Sequence, residues 1–100
     1  GTQIQYYPDG EIMHRREFSN GMLNGKCEKY YPDGKPENVY YCRNGLYEGD
    51  YTKYNKSGTI YEKMQFLHDQ RNGERILFDL SGNIVSREEY WSGNFIGFIQ

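Results

Sequence analysis

Two cysteines and two histidines are the side chains in this sequence with the clearest capacity for chemistry. Cys27 and Cys42 could form a disulfide or supply a reactive thiol, and His14 and His68 could join them as metal ligands. The histidines are 54 residues apart, and no third group recurs near either of them to orient a cysteine–histidine pair. We therefore expect no metal site and no cofactor, and we expect Cys42 to serve as a small packing residue.

The acidic residues do not suggest acid–base catalysis. Glu88 and Glu89 are adjacent and Glu37 is distant from them, and paired carboxylates need a pocket in which to act. We expect these three residues to lie on a solvated face. Twelve basic and fourteen acidic residues are interspersed along the chain, for a net charge of −2. This balance excludes the basic surface typical of a nucleic-acid-binding protein.

Tyrosine is the residue type that most favours a binding function. The chain has eleven tyrosines, and tyrosine is enriched at interfaces because it offers a large contact area at low entropic cost. Several tyrosines are concentrated in the first half of the chain. They predict a binding patch formed by Tyr31, Tyr40, Tyr41 and Tyr47. The alternative is that these side chains cover the second face of a sheet.

Glycine spacing shows that the chain is a tandem array. All twelve glycines fall into three columns, a column being a set of positions separated by multiples of 24 residues. The columns are Gly10, Gly34, Gly58, Gly82; Gly1, Gly25, Gly49, Gly73, Gly97; and Gly21, Gly45, Gly93, with Asp69 in the remaining place. The period predicts four repeats, 1–24, 25–48, 49–72 and 73–96, and the start of a fifth at 97–100. We expect the array to belong to a longer protein.

Each repeat predicts a strand, a tight turn, a second strand and a second turn. The first turn reads Tyr-Pro-Asp-Gly at 7–10 and 31–34, which is typical of a hairpin turn with a bulge. The second turn reads Asn-Gly at 20–21 and 44–45, and His68-Asp69 is interpreted as a degenerate copy. The sequence therefore predicts an all-β, elongated, single-layer antiparallel sheet of eight strands, about 40 Å long at ~4.8 Å per strand.

The other columns predict which positions pack and which face solvent. Two columns are expected to build an apolar ridge: Tyr6, Tyr30, Tyr54, Phe78; and Phe18, Cys42, Phe66, Tyr90. The variable column His14, Asn38, Glu62, Ser86 is expected to face solvent. Arg15, Lys63 and Arg87 share a column and predict a sparse basic stripe along one edge, which could favour an anionic surface.

The repeat unit, clearest from 25 to 45, resembles the bacterial variant of the MORN repeat, part of which is grouped under an antitoxin-type heading. The resemblance covers all four repeats. It implies a stack of β-hairpins in an elongated, twisted sheet, and a role in membrane or protein attachment, with no catalytic residue in the repeat itself. Choline-binding repeats are similar in length, but their cages use tryptophan in most repeats, and this chain has only Trp91.

We therefore predict a non-catalytic module for protein–protein interaction, or for scaffolding and spacing, within a larger bacterial protein. Two alternatives stay open: attachment to lipid or cell-wall glycan, and neutralisation of a toxin. Self-association end to end is a further expectation, because exposed strand edges invite pairing. No apolar run approaches the ~18 residues of a membrane-spanning helix, and an exported or cell-surface location is favoured over the cytoplasm.

Overall fold

Successive antiparallel hairpins account for residues 1–99, the part of the chain described by the computed structural model. The strands are β1 (Thr2–Tyr6), β2 (Ile12–Ser19), β3 (Met22–Tyr30), β4 (Pro36–Arg43), β5 (Leu46–Tyr54), β6 (Ile60–Leu67), β7 (Gln70–Arg71), β8 (Gly73–Phe78), β9 (Ile84–Trp91) and β10 (Asn94–Phe98). They form one sheet in the order β1-β2-β3-β4-β5-β6-β8-β9-β10, with β7 also pairing with β6. The predicted all-β array of hairpins is confirmed.

The sheet is one layer thick. Its extents are 43 × 35 × 13 Å, and a second packed sheet would add about 10 Å to the smallest of these. The expected count of eight strands is wrong. β7 and β8 are two parts of one strand interrupted at Asn72, and β10 adds a strand at the edge. Each interior hairpin therefore contacts only the hairpin before it and the hairpin after it.

The first turns have the geometry that their sequence predicts. In the turn at Tyr7, the Gly10 N–H donates to the Tyr7 carbonyl at 2.9 Å, and the Tyr7 N–H donates to the Glu11 carbonyl at 2.8 Å. Gly10 has a φ of 93°, which a residue with a side chain rarely adopts. The Asp9 carboxylate also accepts the Glu11 N–H at 3.1 Å. The same two backbone hydrogen bonds close the other three first turns, and each of these turns contains a one-residue bulge.

The second turns are two-residue turns with two successive positive φ angles. Asn44 and Gly45 have φ of 50° and 83°, as a type I′ hairpin turn requires. His68 and Asp69, with φ of 49° and 72°, form the same turn without glycine. The interpretation of these two residues as a degenerate turn is confirmed.

A bulge also recurs inside the strands that follow the second turns. Within β3, pairing moves from Arg16 opposite Cys27 to Phe18 opposite Leu23. Gly25 occupies this bulge with a φ of 117°. β5 repeats the arrangement. Both strands continue across the positions between successive 24-residue units, so each unit shares a strand with the next.

Pairing across the sheet defines two faces. The inner face carries the row Gln3, Arg16, Cys27, Tyr40, Tyr51 and Met64. The outer face carries the row Ile4, Arg15, Glu28, Val39, Thr52, Lys63, Ile76 and Arg87. Within residues 1–99, the buried residues Cys27, Cys42, Met64 and Glu62 all lie on the inner face. The sheet therefore has its core on one side.

The two columns expected to form one apolar ridge lie on opposite faces. Cys42 pairs with Gly25 and Tyr47 on the inner face, whereas Tyr30 lies on the outer face, where its hydroxyl donates to Glu28. Side chains alternate along a strand, so Tyr30, two residues after the outer-face Glu28, also lies on the outer face. The expected single ridge is therefore wrong.

The second turns allow a direct test of the positive φ requirement. We expect Gly45→Ala to lower the free energy of unfolding by about 1–2 kcal/mol, because the added Cβ disfavours the left-handed conformation. No heavy atom lies within 4 Å of that Cβ, so crowding does not contribute. Urea denaturation measures the change. Gly97→Ala is the matched control, since Gly97 has open space and no positive φ; an equal loss in both variants would contradict the argument.

Candidate functional site

An aromatic cluster occupies the centre of the inner face. Tyr40 and Tyr51 are directly paired on β4 and β5, and their rings stack at 5.2 Å with an interplanar angle of 13°. Tyr47 meets both rings edge-on, at 5.5 and 5.6 Å. The centroid of the Phe66 ring lies 5.2 Å from that of Tyr47 and 5.8 Å from that of Tyr51. These four residues are called the tyrosine cluster, and they hold one another in fixed orientations.

The hydroxyl groups of the tyrosine cluster stay protonated at neutral pH. Burial, as the main cause, raises the pKa of Tyr40 and of Tyr51 to about 12, and it raises the pKa of Tyr47 as well. The ionised form is disfavoured because the surrounding rings replace water. The cluster therefore presents neutral hydrogen-bond donors beside apolar ring surface.

Tyr31 lies on the same face and ties two hairpins together. Its hydroxyl donates to the Tyr54 carbonyl at 2.7 Å. One repeat earlier, the Tyr7 hydroxyl donates to the Tyr30 carbonyl at 2.6 Å. Burial raises the pKa of Tyr31. This tyrosine therefore has a structural contact between repeats in addition to any role at a surface.

The structure divides the tyrosine patch that the sequence predicts. Tyr31, Tyr40 and Tyr47 lie on the inner face, whereas Tyr41 pairs with Lys26 on the outer face and is 40% exposed. Sequence reasoning did not include Tyr51, whose column also holds Gln3, Cys27 and Arg75. The register of β4 against β5 was the missing information, because it places Tyr51 opposite Tyr40.

The basic residues Arg15, Lys63 and Arg87 lie in the middle row of the outer face. The expected stripe along one edge is wrong, because the column crosses the sheet at mid-strand. Arg87 is paired with Glu74, and Arg15 lies 4.0 Å from Glu17. Glu28, Val39, Thr52 and Ile76 stand between the three cations in the same row. The row is therefore mixed in charge.

An ionic network covers the part of the inner face next to the tyrosine cluster. Glu62, only 4% exposed, lies 3.6 Å from Lys53 and 2.5 Å from Arg75. Arg75 also donates to Glu88 at 2.7 Å, and the Tyr90 hydroxyl donates to Glu88 at 3.1 Å. Hydrogen bonding from Arg75 is the main cause that lowers the pKa of Glu88. The network links β5, β6, β8 and β9.

Two expectations about acidic residues are corrected by these contacts. The column containing Glu62 does not face solvent throughout, because Glu62 lies on the inner face, two residues before Met64, where Lys53 and Arg75 cover its carboxylate. Glu88 is not on a solvated face, since Arg75 and Tyr90 hold its carboxylate. Glu37 is also paired, 2.9 Å from Lys29. These carboxylates satisfy cations within the sheet.

The cysteines are packing residues in this structure. Cys27 is fully buried, Cys42 is 5% exposed, and both are free thiols. Burial, with the neighbouring Cys27 as a second cause, raises the pKa of Cys42 to about 11. A thiol with so high a pKa is a poor nucleophile at neutral pH.

The histidines lie apart and each has a local partner. His14 is 3.1 Å from the Gln5 amide oxygen, and His68 is 3.4 Å from Glu48. Burial, followed by the charge of Arg16, lowers the pKa of His14. Within residues 1–99, no group of three or more His, Cys, Asp and Glu residues is arranged to hold a metal ion.

Hairpins joined by glycine-containing turns and repeated every 24 residues in a single-layer sheet define a class of tandem β-repeat module. The chain matches the family described as MORN repeat variant over residues 1–20, 23–41 and 47–68, and it belongs to that family. No match was found among curated proteins or among solved structures. Across residues 1–99, no helix is long and apolar enough to cross a membrane.

The tyrosine cluster predicts cooperative unfolding at alkaline pH. Because the pKa of Tyr40 and Tyr51 is about 12 in the folded protein and 10.0 for an ordinary tyrosine, their contribution to stability is complete below pH 10. It is lost as the pH rises towards 12. We expect tyrosinate absorbance and loss of the circular dichroism signal to rise together in this range. Ionisation of all tyrosines near pH 10 with the fold intact would contradict the burial of the cluster.

The ionic network predicts unequal effects of removing two carboxylates. We expect Glu62→Gln to lower the free energy of unfolding by roughly 1–3 kcal/mol, since it weakens charged hydrogen bonds in a buried position. Glu37→Gln is the matched control: it breaks a partly exposed pair with Lys29 and should cost less than about 1 kcal/mol. Urea denaturation of both variants measures the difference, and equal losses would rule out a special role for Glu62.

Proposed function

We propose that this chain is a non-catalytic module that binds a protein partner through its inner face, within a larger protein. The observation that carries the proposal is the tyrosine cluster, a contiguous group of aromatic rings on an ordered sheet face. The family supports a repeat module of the binding or scaffolding kind.

The physical argument rests on order and composition. Tyrosine is enriched among the residues that dominate the energy of protein interfaces, because its ring contributes apolar area and its hydroxyl contributes hydrogen bonds. Here the rings of Tyr40, Tyr47 and Tyr51 contact one another. They are therefore already ordered, and binding would cost little side-chain entropy. The face is broad enough for such contact, since the sheet extends 43 × 35 Å.

A non-enzymatic role is supported by how the ionisable side chains are used. Glu62 and Glu88 are paired with Arg75, and Cys27 and Cys42 are buried thiols. None of these groups combines accessibility with the perturbed pKa that acid–base or nucleophilic catalysis needs.

The Tyr-Pro-Asp-Gly turns and the 24-residue period support assignment to the bacterial, antitoxin-type group of these repeats. Within that assignment, neutralisation of a toxin would be one form of the proposed protein binding. Scaffolding or spacing within a larger protein is compatible with the same face, because a rigid sheet holds a bound partner at a fixed position.

Cross-linking from each face tests the proposal. A photoreactive phenylalanine analogue is placed at Tyr61 for the inner face, or at Tyr41 for the outer face, which are 37% and 40% exposed respectively. The protein is then irradiated in a lysate of its source cells. We expect one protein to be cross-linked from position 61 and not from position 41, because the tyrosine cluster lies on the inner face.

The matched variant is Tyr51→Gln, which removes the ring shared by the cluster and installs the residue found at Gln3 in the same column. We expect it to reduce the cross-linked product at least about tenfold while circular dichroism shows a folded sheet. Cross-linking from position 41 alone would move binding to the outer face, and no product from either position would remove the support for a protein partner.

A further inference from the structure

Two neighbouring depressions lie beside the first turns, on either side of Tyr61 at the border of the inner face. The first has a volume of about 230 Å³ and is lined by residues that include Tyr31, Glu37, Tyr51 and Tyr61. The second, about 580 Å³, is lined by residues that include Asn55, Tyr61, Phe78 and Leu80. Asn55 and Tyr61 stand 24 residues after Tyr31 and Glu37. The second depression therefore lies at the corresponding position of the next repeat, and Tyr61 lines both depressions.

The spacing of these depressions is set by the sheet. Equivalent positions in successive repeats lie two strands apart, which corresponds to about 9.5 Å. A polyproline II helix has three residues per turn and a rise of 3.1 Å, so every third residue returns to the same side after about 9.3 Å. A segment crossing the strands in this conformation would bring every third side chain over a depression.

The charges lining the depressions favour a neutral occupant. Glu37 is paired with Lys29 at 2.9 Å. Lys53 lies 3.6 Å from Glu62 and stands 5.8 Å from the centre of the Tyr51 ring. Lys53 would repel a cation approaching that ring, and Glu37 would repel a carboxylate. In the second depression, the Asp79 carboxylate already accepts backbone N–H groups of the turn.

The residues lining the depressions offer the two kinds of contact that a proline-rich segment requires, apolar surface and hydrogen-bond donors. Tyr61 and Leu80, 37% and 74% exposed, supply apolar surface. The hydroxyls of Tyr51 and Tyr61 and the amide of Asn38 supply donors at the first depression. Proline rings pack against aromatic side chains, and polyproline II backbone leaves its carbonyls free to accept hydrogen bonds.

We propose that the groove formed by these two depressions binds a proline-rich segment in the polyproline II conformation, with every third residue entering a depression. This proposal rests on the proposed protein-binding function and names the chemistry of the partner. Tyr61 is the central contact because it touches both bound residues.

Titration with a fluorescently labelled decaproline peptide, followed by anisotropy, tests the inference on the 100-residue chain. We expect saturable binding of decaproline and none of a Gly-Ser peptide of equal length. Tyr61→Ser should raise Kd at least about tenfold. Val85→Ser is the matched control, because Val85 occupies the same column one repeat later, is 66% exposed and lines neither depression. Its Kd should stay within about twofold of the parent.

Several outcomes would overturn the inference. These are absence of saturation at millimolar peptide, equal binding of the Gly-Ser peptide, or an unchanged Kd in Tyr61→Ser. If circular dichroism shows that Tyr61→Ser does not fold, Leu80→Ser, on the exposed turn, tests the second depression instead. An unchanged Kd in Leu80→Ser would also overturn the inference. An inner-face cross-link without decaproline binding would retain the proposed function and reject the proline-rich partner, whereas loss of both would reject both.

Discussion

The structure depends on the fact that residues 1–99 form a single-layer sheet. A side chain on either face can be covered only by side chains on its own strand or on adjacent strands, so burial comes from the stacking of hairpins. Large planar side chains suit this situation because one ring covers its neighbour across a strand pair. This is why Tyr40, Tyr47 and Tyr51 pack ring against ring. It is also why, among the apolar residues of 1–99, only the small or flexible Cys27, Cys42 and Met64 are buried.

Bulges determine which chemistry reaches the inner face. Strict alternation would place Tyr61 and Glu62 on opposite sides of the sheet. The shift in pairing between Lys53 and Tyr54 brings both residues beside Lys53. The glycine-containing turns and bulges recur in each unit, whereas the side chains that they orient differ. A constant backbone therefore presents a different surface at each repeat, which is the property a recognition module requires.

The inner face consists of two regions with different energetics. Around β4 and β5 it is aromatic, and its order comes from ring contacts. Around β8 and β9 it is ionic, and Arg75 joins Glu62 to Glu88. The groove beside the first turns lies where these regions meet, with Lys53 and Glu62 neutralising each other at its base. The placement explains how a charged protein can present a neutral, tyrosine-lined site.

The sequence by itself determined the period, the turn types and the hairpin architecture. These are local properties: glycine at Gly10 or Gly45 permits positive φ whatever the rest of the chain does. Only the tertiary structure decided which columns share a face, because a one-position shift in pairing moves a side chain to the other side. Alternation along β4 alone separates Tyr41 from Tyr40, whereas the stacking of Tyr51 on Tyr40 and the burial of Glu62 between Lys53 and Arg75 depend on cross-strand register. Cross-strand register depends on contacts between distant residues, and the 24-residue period carries no information about it.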